Sequence, residues 1–131
     1  MAIFNAYVYN KALLRDFSYF KVSEFRCGCR KCRNNGFPVR INAKLLAYLE
    51  ELRISFGKPV IITSGLRCTK YNKSLPGSSK KSRHLSGKAA DIYIEGVSPT
   101  DICRYWELLD VGYCYCGTPN MGNAAHVQIG W

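Results

Sequence analysis

The residues best suited to chemistry stand in two short stretches, Ser82-Arg83-His84-Leu85-Ser86-Gly87-Lys88-Ala89-Ala90-Asp91 and Ala124-Ala125-His126-Val127-Gln128-Ile129. They contain both histidines of the chain, and an aspartate follows the first histidine by seven positions. Two neutral imidazoles and one carboxylate form a ligand set that suits a catalytic zinc, because three protein ligands leave the fourth tetrahedral position to water. A histidine and an aspartate seven apart also arise in ordinary loops, so the pair draws its weight from its neighbours. Gly87 permits a tight turn, Ala89 and Ala90 are small enough to pass close to another element, and Asp91-Ile92-Tyr93-Ile94 starts a half-buried strand.

Several elements must position these residues. Asn42 is a fitting N-cap for a helix over 42–56, whose Leu45, Leu46, Leu49 and Leu52 form an apolar stripe extended by Phe56 and ended by Gly57. Pro59-Val60-Ile61-Ile62-Thr63 reads as a buried strand, closed by Ser64-Gly65. Residues 66–88 read as one long basic loop running into His84, a length that is uncommon unless functional. A strand over 91–95 follows. Ser98-Pro99-Thr100-Asp101 then starts a helix over 98–110 with an N-cap serine and a proline at its first position. Residues 112–117 and 125–129 read as two more strands around the turn 118–123. His126 shares its strand face with Ala124 and Gln128, so a metal there meets His84 and Asp91 only if the strands of Asp91 and His126 are neighbours. Residues 1–25 are mixed, with a short extended piece at Tyr19–Val22 and a helical turn capped by Ser23. Asn34-Asn35-Gly36-Phe37-Pro38 is a turn-rich loop.

At 131 residues, with 47% hydrophobic and 13% aromatic content, the expectation is one folded domain over 1–131. No apolar run approaches the ~20 residues that span a bilayer. The first residues lack the basic leader, apolar stretch and cleavage site of a signal peptide, so synthesis without a secretory signal is expected. A net charge of +10 suggests an anionic partner: nucleic acid, a membrane surface or an acidic cell-wall polymer. Lys70, Lys73, Lys80, Lys81, Arg83 and Lys88 crowd the stretch around the proposed site, either as a solubilising surface or as an attraction for such a partner.

Seven cysteines cannot all pair within one chain. Cys27, Cys29 and Cys32 form a basic knuckle, and together with Cys68 they suit a four-thiolate zinc site. Free thiols, or one disulfide to Cys68, remain equally open. Cys103, on the second helix, and Cys114 and Cys116, on one strand face, read as plain buried thiols. The cysteines match no nucleic-acid finger with histidines at its spacing, which argues against a nucleic-acid partner.

In this order the motifs resemble the zinc D-alanyl-D-alanine carboxypeptidases and their murein-endopeptidase and phage relatives, whose fold is shared with hedgehog signalling domains. Ser23-Glu24-Phe25 looks like the family's early Ser-Glu-Phe. Thr63-Ser64-Gly65-Leu66-Arg67 with Tyr71-Asn72 resembles its Ser-Gly-x-Arg and following Asn. Ser82 to Asp91 resembles its Ser-x-His-x-x-Gly-x-Ala-x-Asp, and His126-Val127 its closing His-Val. The resemblance covers about residues 20–130 and is nearest to short peptidases carried by phages, which places the protein in a host cytoplasm or on a virion, acting on the cell wall.

The resemblance implies an α+β fold with a small antiparallel sheet carrying the zinc site and helices packed on it. It also implies zinc on His84, Asp91 and His126, and Arg67 as the anchor for a substrate carboxylate or carbonyl, which a guanidinium binds through two parallel hydrogen bonds. The implied activity is a metallopeptidase acting on peptidoglycan peptides, as a carboxypeptidase or a cross-link endopeptidase; the alternative is a wall-binding domain of the same fold with impaired catalysis. The chain departs from its relatives around the last histidine: Ala124 replaces a histidine or aromatic residue, Asn123 a glutamate and Gln128 an aspartate. Gln128 can orient water or polarise a carbonyl but cannot titrate, so the general base is unassigned, with Glu95 and Glu107 as stand-ins near the strands.

Overall fold

The computed structural model describes residues 7–9, 19–20, 22–29, 32 and 40–131. Strand β1 (Tyr7–Tyr9) pairs antiparallel with β2 (Arg40–Asn42). A 3-10 turn at Val22–Phe25 lies between them in sequence. Helix α1 (Ala43–Phe56), strand β3 (Ile61–Ser64) and helix α2 (Thr69–Ser74) follow. After a second 3-10 turn at Arg83–Ser86 come β4 (Ala89–Tyr93), α3 (Pro99–Leu109), β5 (Cys114–Cys116) and β6 (Ala125–Gln128). The last four strands form one antiparallel sheet in the order β3-β4-β6-β5. The architecture is α+β, as expected. The loop at 34–38 and most of the first 18 residues lie outside the described residues.

The two long helices form where their sequences direct. The Asn42 side chain accepts from Lys44 N and Leu45 N at 2.9 and 3.1 Å, and Gly57 ends α1 in the left-handed region. Ser98 caps α3 through Asp101 N. Their apolar stripes bury against one face of the sheet: Leu45, Leu46, Leu49 and Leu52 meet Ile102 and Trp106 over Ala90, Ile92, Ala125 and Val127. Each fully buried large side chain contributes about 1.5–3 kcal/mol. The Trp106 indole donates to Gln128 O at 3.0 Å, so burying it leaves no orphaned N–H.

Three expectations are corrected. The strand expected over 59–63 is the edge strand β3, with Ile61 and Thr63 exposed because the sheet ends there, while Val60 and Ile62 turn to the core. The stretch 66–88 contains α2 and a 3-10 turn, both started by local caps: Cys68 Sγ accepts from Tyr71 N, and Ser82 Oγ from His84 N. Cys103 and Cys114 are joined in a disulfide. Alternation along β5 sends Cys114 to the helix side of the sheet, where it meets α3.

Closing this short loop should be worth about 2–3 kcal/mol. Cys103→Ser, which frees Cys114 as a thiol, should therefore lower the melting temperature measured without reductant, and reductant should lower the wild type to the same value.

Candidate metal centre

The face of the sheet turned away from the helices carries the candidate site. Antiparallel pairing sets Asp91 directly opposite His126, His126 opposite Tyr115, and Ser64 opposite Asp91. One row thus crosses all four strands: Ser64, Asp91, His126, Tyr115. A β-bulge between Ile62 and Ser64 makes the pairing of Ser64 with Asp91 possible. It lets Ile62 face the core while Ser64, two residues on, faces the site, a re-aiming typical of bulges beside functional sites.

His84 reaches the row from the 3-10 turn. Ser82 caps that turn, and Gly87 closes it with φ of 74°. The imidazole is buried, with Nδ1 at 2.7 Å from Gly65 O and Nε2 at 3.2 Å from Asp91 Oδ1. His126 places Nδ1 at 3.0 Å from the same Asp91 oxygen and Nε2 at 2.8 Å from Gln128 Oε1. Gln128 Nε2 in turn donates to Gly130 O at 2.9 Å, which fixes the orientation of its amide.

These contacts determine both tautomers. A carbonyl oxygen only accepts, so His84 carries its hydrogen on Nδ1 and His126 on Nε2. The neutral rings then aim two lone pairs, from His84 Nε2 and His126 Nδ1, at a carboxylate oxygen. Such a convergence is repulsive unless each ring is protonated or a cation sits among the three. Burial holds the His84 imidazole below its ordinary pKa, against the pull of Asp91, and so opposes protonation there. For Asp91, burial disfavours ionisation, but a proton carried toward it by His126 or His84 outweighs burial and holds the carboxyl well below the usual carboxylate range, and a cation among the three would act in the same direction. The donor set is two imidazoles and one carboxylate, all within 4.8 Å of one another. A tetrahedron with ~2.0–2.1 Å bonds has edges of ~3.3 Å, close to the distances found, so the residues fit zinc.

Arg67 adjoins the centre. Its Nε donates to Ser64 Oγ at 3.0 Å, Nη1 to Asn72 Oδ1 at 3.1 Å and Nη2 to Asp91 Oδ2 at 3.1 Å. Asn72 is buried and donates to Ser79 O. A guanidinium has five N–H groups, so donors remain for a ligand. Arg67 is thus built into the fold as well as facing the groove, and its loss should cost about 1–3 kcal/mol for stranding its partners.

The centre opens into a groove of about 1170 Å³, lined by Arg67, Lys81 and Arg83 on one side and by Tyr113, Tyr115 and Trp131 among others. Of the six basic residues singled out in the sequence, only Lys81 and Arg83 line it. Glu95 and Glu107 do not. Glu95 ends up exposed beyond the far end of β4, and Glu107 lies on the exposed side of α3, across the sheet. Asn123 is exposed and off the groove as well. Among the described residues, Asp91 is the only carboxylate lining it. Gln128 spends both ends of its amide on His126 and Gly130.

Tyr115 is the residue that sequence reasoning missed. Its ring stacks on His126 with centroids 4.5 Å apart and planes 10° from parallel. The signal lay in Tyr113-Cys114-Tyr115-Cys116, where the tyrosines occupy the strand face opposite the cysteines.

The family model for peptidase M15 matches residues 18–128. The chain belongs to the peptidase M15 family. Membership makes it a hydrolase of a zinc-metallopeptidase family, and His84, Asp91 and His126 are one group of side chains placed so that they could hold a metal. No curated relative and no solved structure matches the chain. Among the described residues, no helix is long and apolar enough to cross a membrane.

Two outcomes test this geometry. A Cβ at Gly65 would lie 2.7 Å from the Phe25 backbone, so Gly65→Ala must move the carbonyl that orients His84. It should lower both the melting temperature and metal affinity, read by calorimetry. In chelator, His84 resists protonation in the folded state more than in the unfolded chain. Its contribution is complete above the ordinary value of 6.5 and is lost as pH falls from there toward the folded pKa. The melting temperature in chelator should therefore fall between pH 7 and 5, less so for His84→Asn.

Proposed function

We propose that this chain is a zinc peptidase unit that cleaves peptide bonds in bacterial peptidoglycan. The observation that carries the reading is the convergence of His84 Nε2, His126 Nδ1 and Asp91 Oδ1, with tautomers set by Gly65 O and Gln128 Oε1. His84, His126 and Asp91 are the proposed ligands. Zinc, when bound, supplies Lewis acidity toward a peptide carbonyl and acidifies the attacking water.

The remaining roles belong to the chain's own side chains. Gln128 positions His126 by accepting from Nε2, and does not act on water directly. Arg67, held by Ser64, Asn72 and Asp91, turns its spare N–H groups to a substrate carboxylate or carbonyl. Tyr115 shields one face of His126 from water. Lys81 and Arg83 give the groove a positive rim suited to the carboxylates of stem peptides, while Tyr113 and Trp131 offer apolar contact to the peptide backbone.

Among the described residues, the groove offers no second side-chain carboxylate to carry the proton from water to the leaving amine. General acid–base help contributes about 10²–10⁴-fold, so turnover is slow by comparison with a site that has one. The same observation supports the second reading, a wall-binding domain that keeps the metal and has lost catalysis.

Purified protein incubated with muropeptides and followed by mass spectrometry decides between them. The peptidase reading expects chelator-sensitive products: loss of a terminal D-alanine for a carboxypeptidase, or splitting of cross-linked dimers for an endopeptidase. No such product at high enzyme, with zinc bound, replaces it by the binding reading. Gln128→Leu should weaken zinc affinity by about 10–100-fold, as loss of a ligand's orienting partner does. Arg67→Lys keeps the charge but loses the fork, and should cut kcat/KM by about tenfold or more while retaining zinc.

A further inference from the structure

A second group of metal-ligating side chains lies apart from the centre just described. Cys27 and Cys29 follow the turn Val22–Phe25, Cys32 is three residues further on, and Cys68 stands at the N-cap of α2. Thirty-five residues of sequence lie between Cys32 and Cys68, yet all four Sγ atoms lie within 4.8 Å of one another. Cys29 and Cys68 are 3.9 Å apart, Sγ to Sγ. That is well beyond the ~2.05 Å of a disulfide, whereas a tetrahedron with ~2.3 Å zinc–sulfur bonds has edges of ~3.8 Å. Three backbone amides also point at these sulfurs: Cys32 N at Cys29 Sγ, 3.3 Å; Cys68 N at Cys27 Sγ, 3.4 Å; Tyr71 N at Cys68 Sγ, 3.3 Å. N–H donors aimed at sulfur stabilise thiolates, the form that binds metal. The flanking sequence supplies Arg26, Arg30, Lys31, Arg33 and Lys70 against the net negative charge of four thiolates on one divalent ion.

We infer that Cys27, Cys29, Cys32 and Cys68 hold a second zinc ion in a closed, structural site. Four protein thiolates fill the tetrahedron, so this ion has no position for substrate. Its place in the fold gives it a task. Leu66 N donates to Phe25 O at 2.8 Å, and Arg67 N to His84 O at 3.0 Å. The stretch Gly65–Cys68 is thereby held between the cysteine knuckle on one side and the His84 turn on the other. A metal bridging Cys68 to Cys27, Cys29 and Cys32 fixes the stretch that carries Gly65 O, which orients His84, and Arg67. This positional consequence rests on the proposed function; the metal site itself does not.

Metal content and cobalt spectra test the inference without any activity assay. Wild-type protein should bind two zinc ions per chain, and His84→Ala/His126→Ala should keep one. Cobalt in that variant should give the intense near-ultraviolet charge-transfer band of thiolate ligation and the strong visible absorption of a tetrahedral site. Adding Cys29→Ser/Cys68→Ser to the histidine variant should abolish both signals. Should that variant fail to fold, titrating wild type with an organomercurial gives the same answer: four thiols react as one equivalent of zinc is released, while Cys116 reacts without release. The inference is overturned if the histidine variant binds no metal, if its cobalt spectrum lacks the thiolate band, if iron replaces zinc as the ion carried from expression, or if non-reducing mass spectrometry finds a disulfide among the four. Failure of the peptidase reading leaves the readouts on the histidine variant and on the thiols intact.

Discussion

The site depends on one register. Asp91 faces His126 across β4 and β6, and every other part of the centre is placed relative to that pair. Side chains alternate with a period of two, so a slip by one residue would turn His126 into the core and bring Ala125 or Val127 to the groove. The core prevents the slip: Ala90, Ile92, Ala125 and Val127 are buried under α1 and α3, and none could be exchanged for its neighbour without burying a carboxylate or an imidazole. Hydrophobic packing on one face thus fixes the polar geometry on the other. The disulfide between Cys103 and Cys114 extends the same logic to β5, tying the strand that carries Tyr115 to the helix behind it.

A second constraint comes from the chain that approaches the row from outside the sheet. His84 and Arg67 both hang on the contact between Gly65–Arg67 and the turn Arg83–Gly87, through Gly65 O to Nδ1 and Arg67 N to His84 O. Gly65 has room for no side chain against Phe25. The Ser-Gly-x-Arg sequence then has a part for each named residue: Ser64 receives Nε, Gly65 makes the close approach and orients His84, and Arg67 reaches Asp91.

Much of this was legible in the chain itself. The caps Asn42 and Ser98 and the leucine stripe gave both long helices within a residue or two, because those signals are local. The ordered motifs around His84 and His126 located the three converging groups. What could not be read were features set by partners distant in sequence. The bulge that turns Ser64 toward Asp91 breaks the alternation that a strand reading assumes. Ile61 looks like core but sits on a sheet edge. Cys103 and Cys114 looked like thiols because only the packing of α3 on β5 brings them together. Gln128 looked like a group for water until Gly130 O and His126 claimed its amide. Glu95 and Glu107 were near the strands in sequence and are on the wrong end or the wrong side in space.

We propose that His84, His126 and Asp91, with the imidazole tautomers fixed by Gly65 O and Gln128 Oε1, hold one zinc ion where β4 pairs with β6. The most direct test is an anomalous difference map at the zinc edge from crystals of the zinc-loaded protein. The account predicts a peak among His84 Nε2, His126 Nδ1 and an Asp91 oxygen, at ~2.0–2.1 Å from each, with Gln128 Oε1 still on His126 Nε2. Zinc bound through His126 Nε2, or no peak at Asp91 in crystals soaked with zinc, would contradict it.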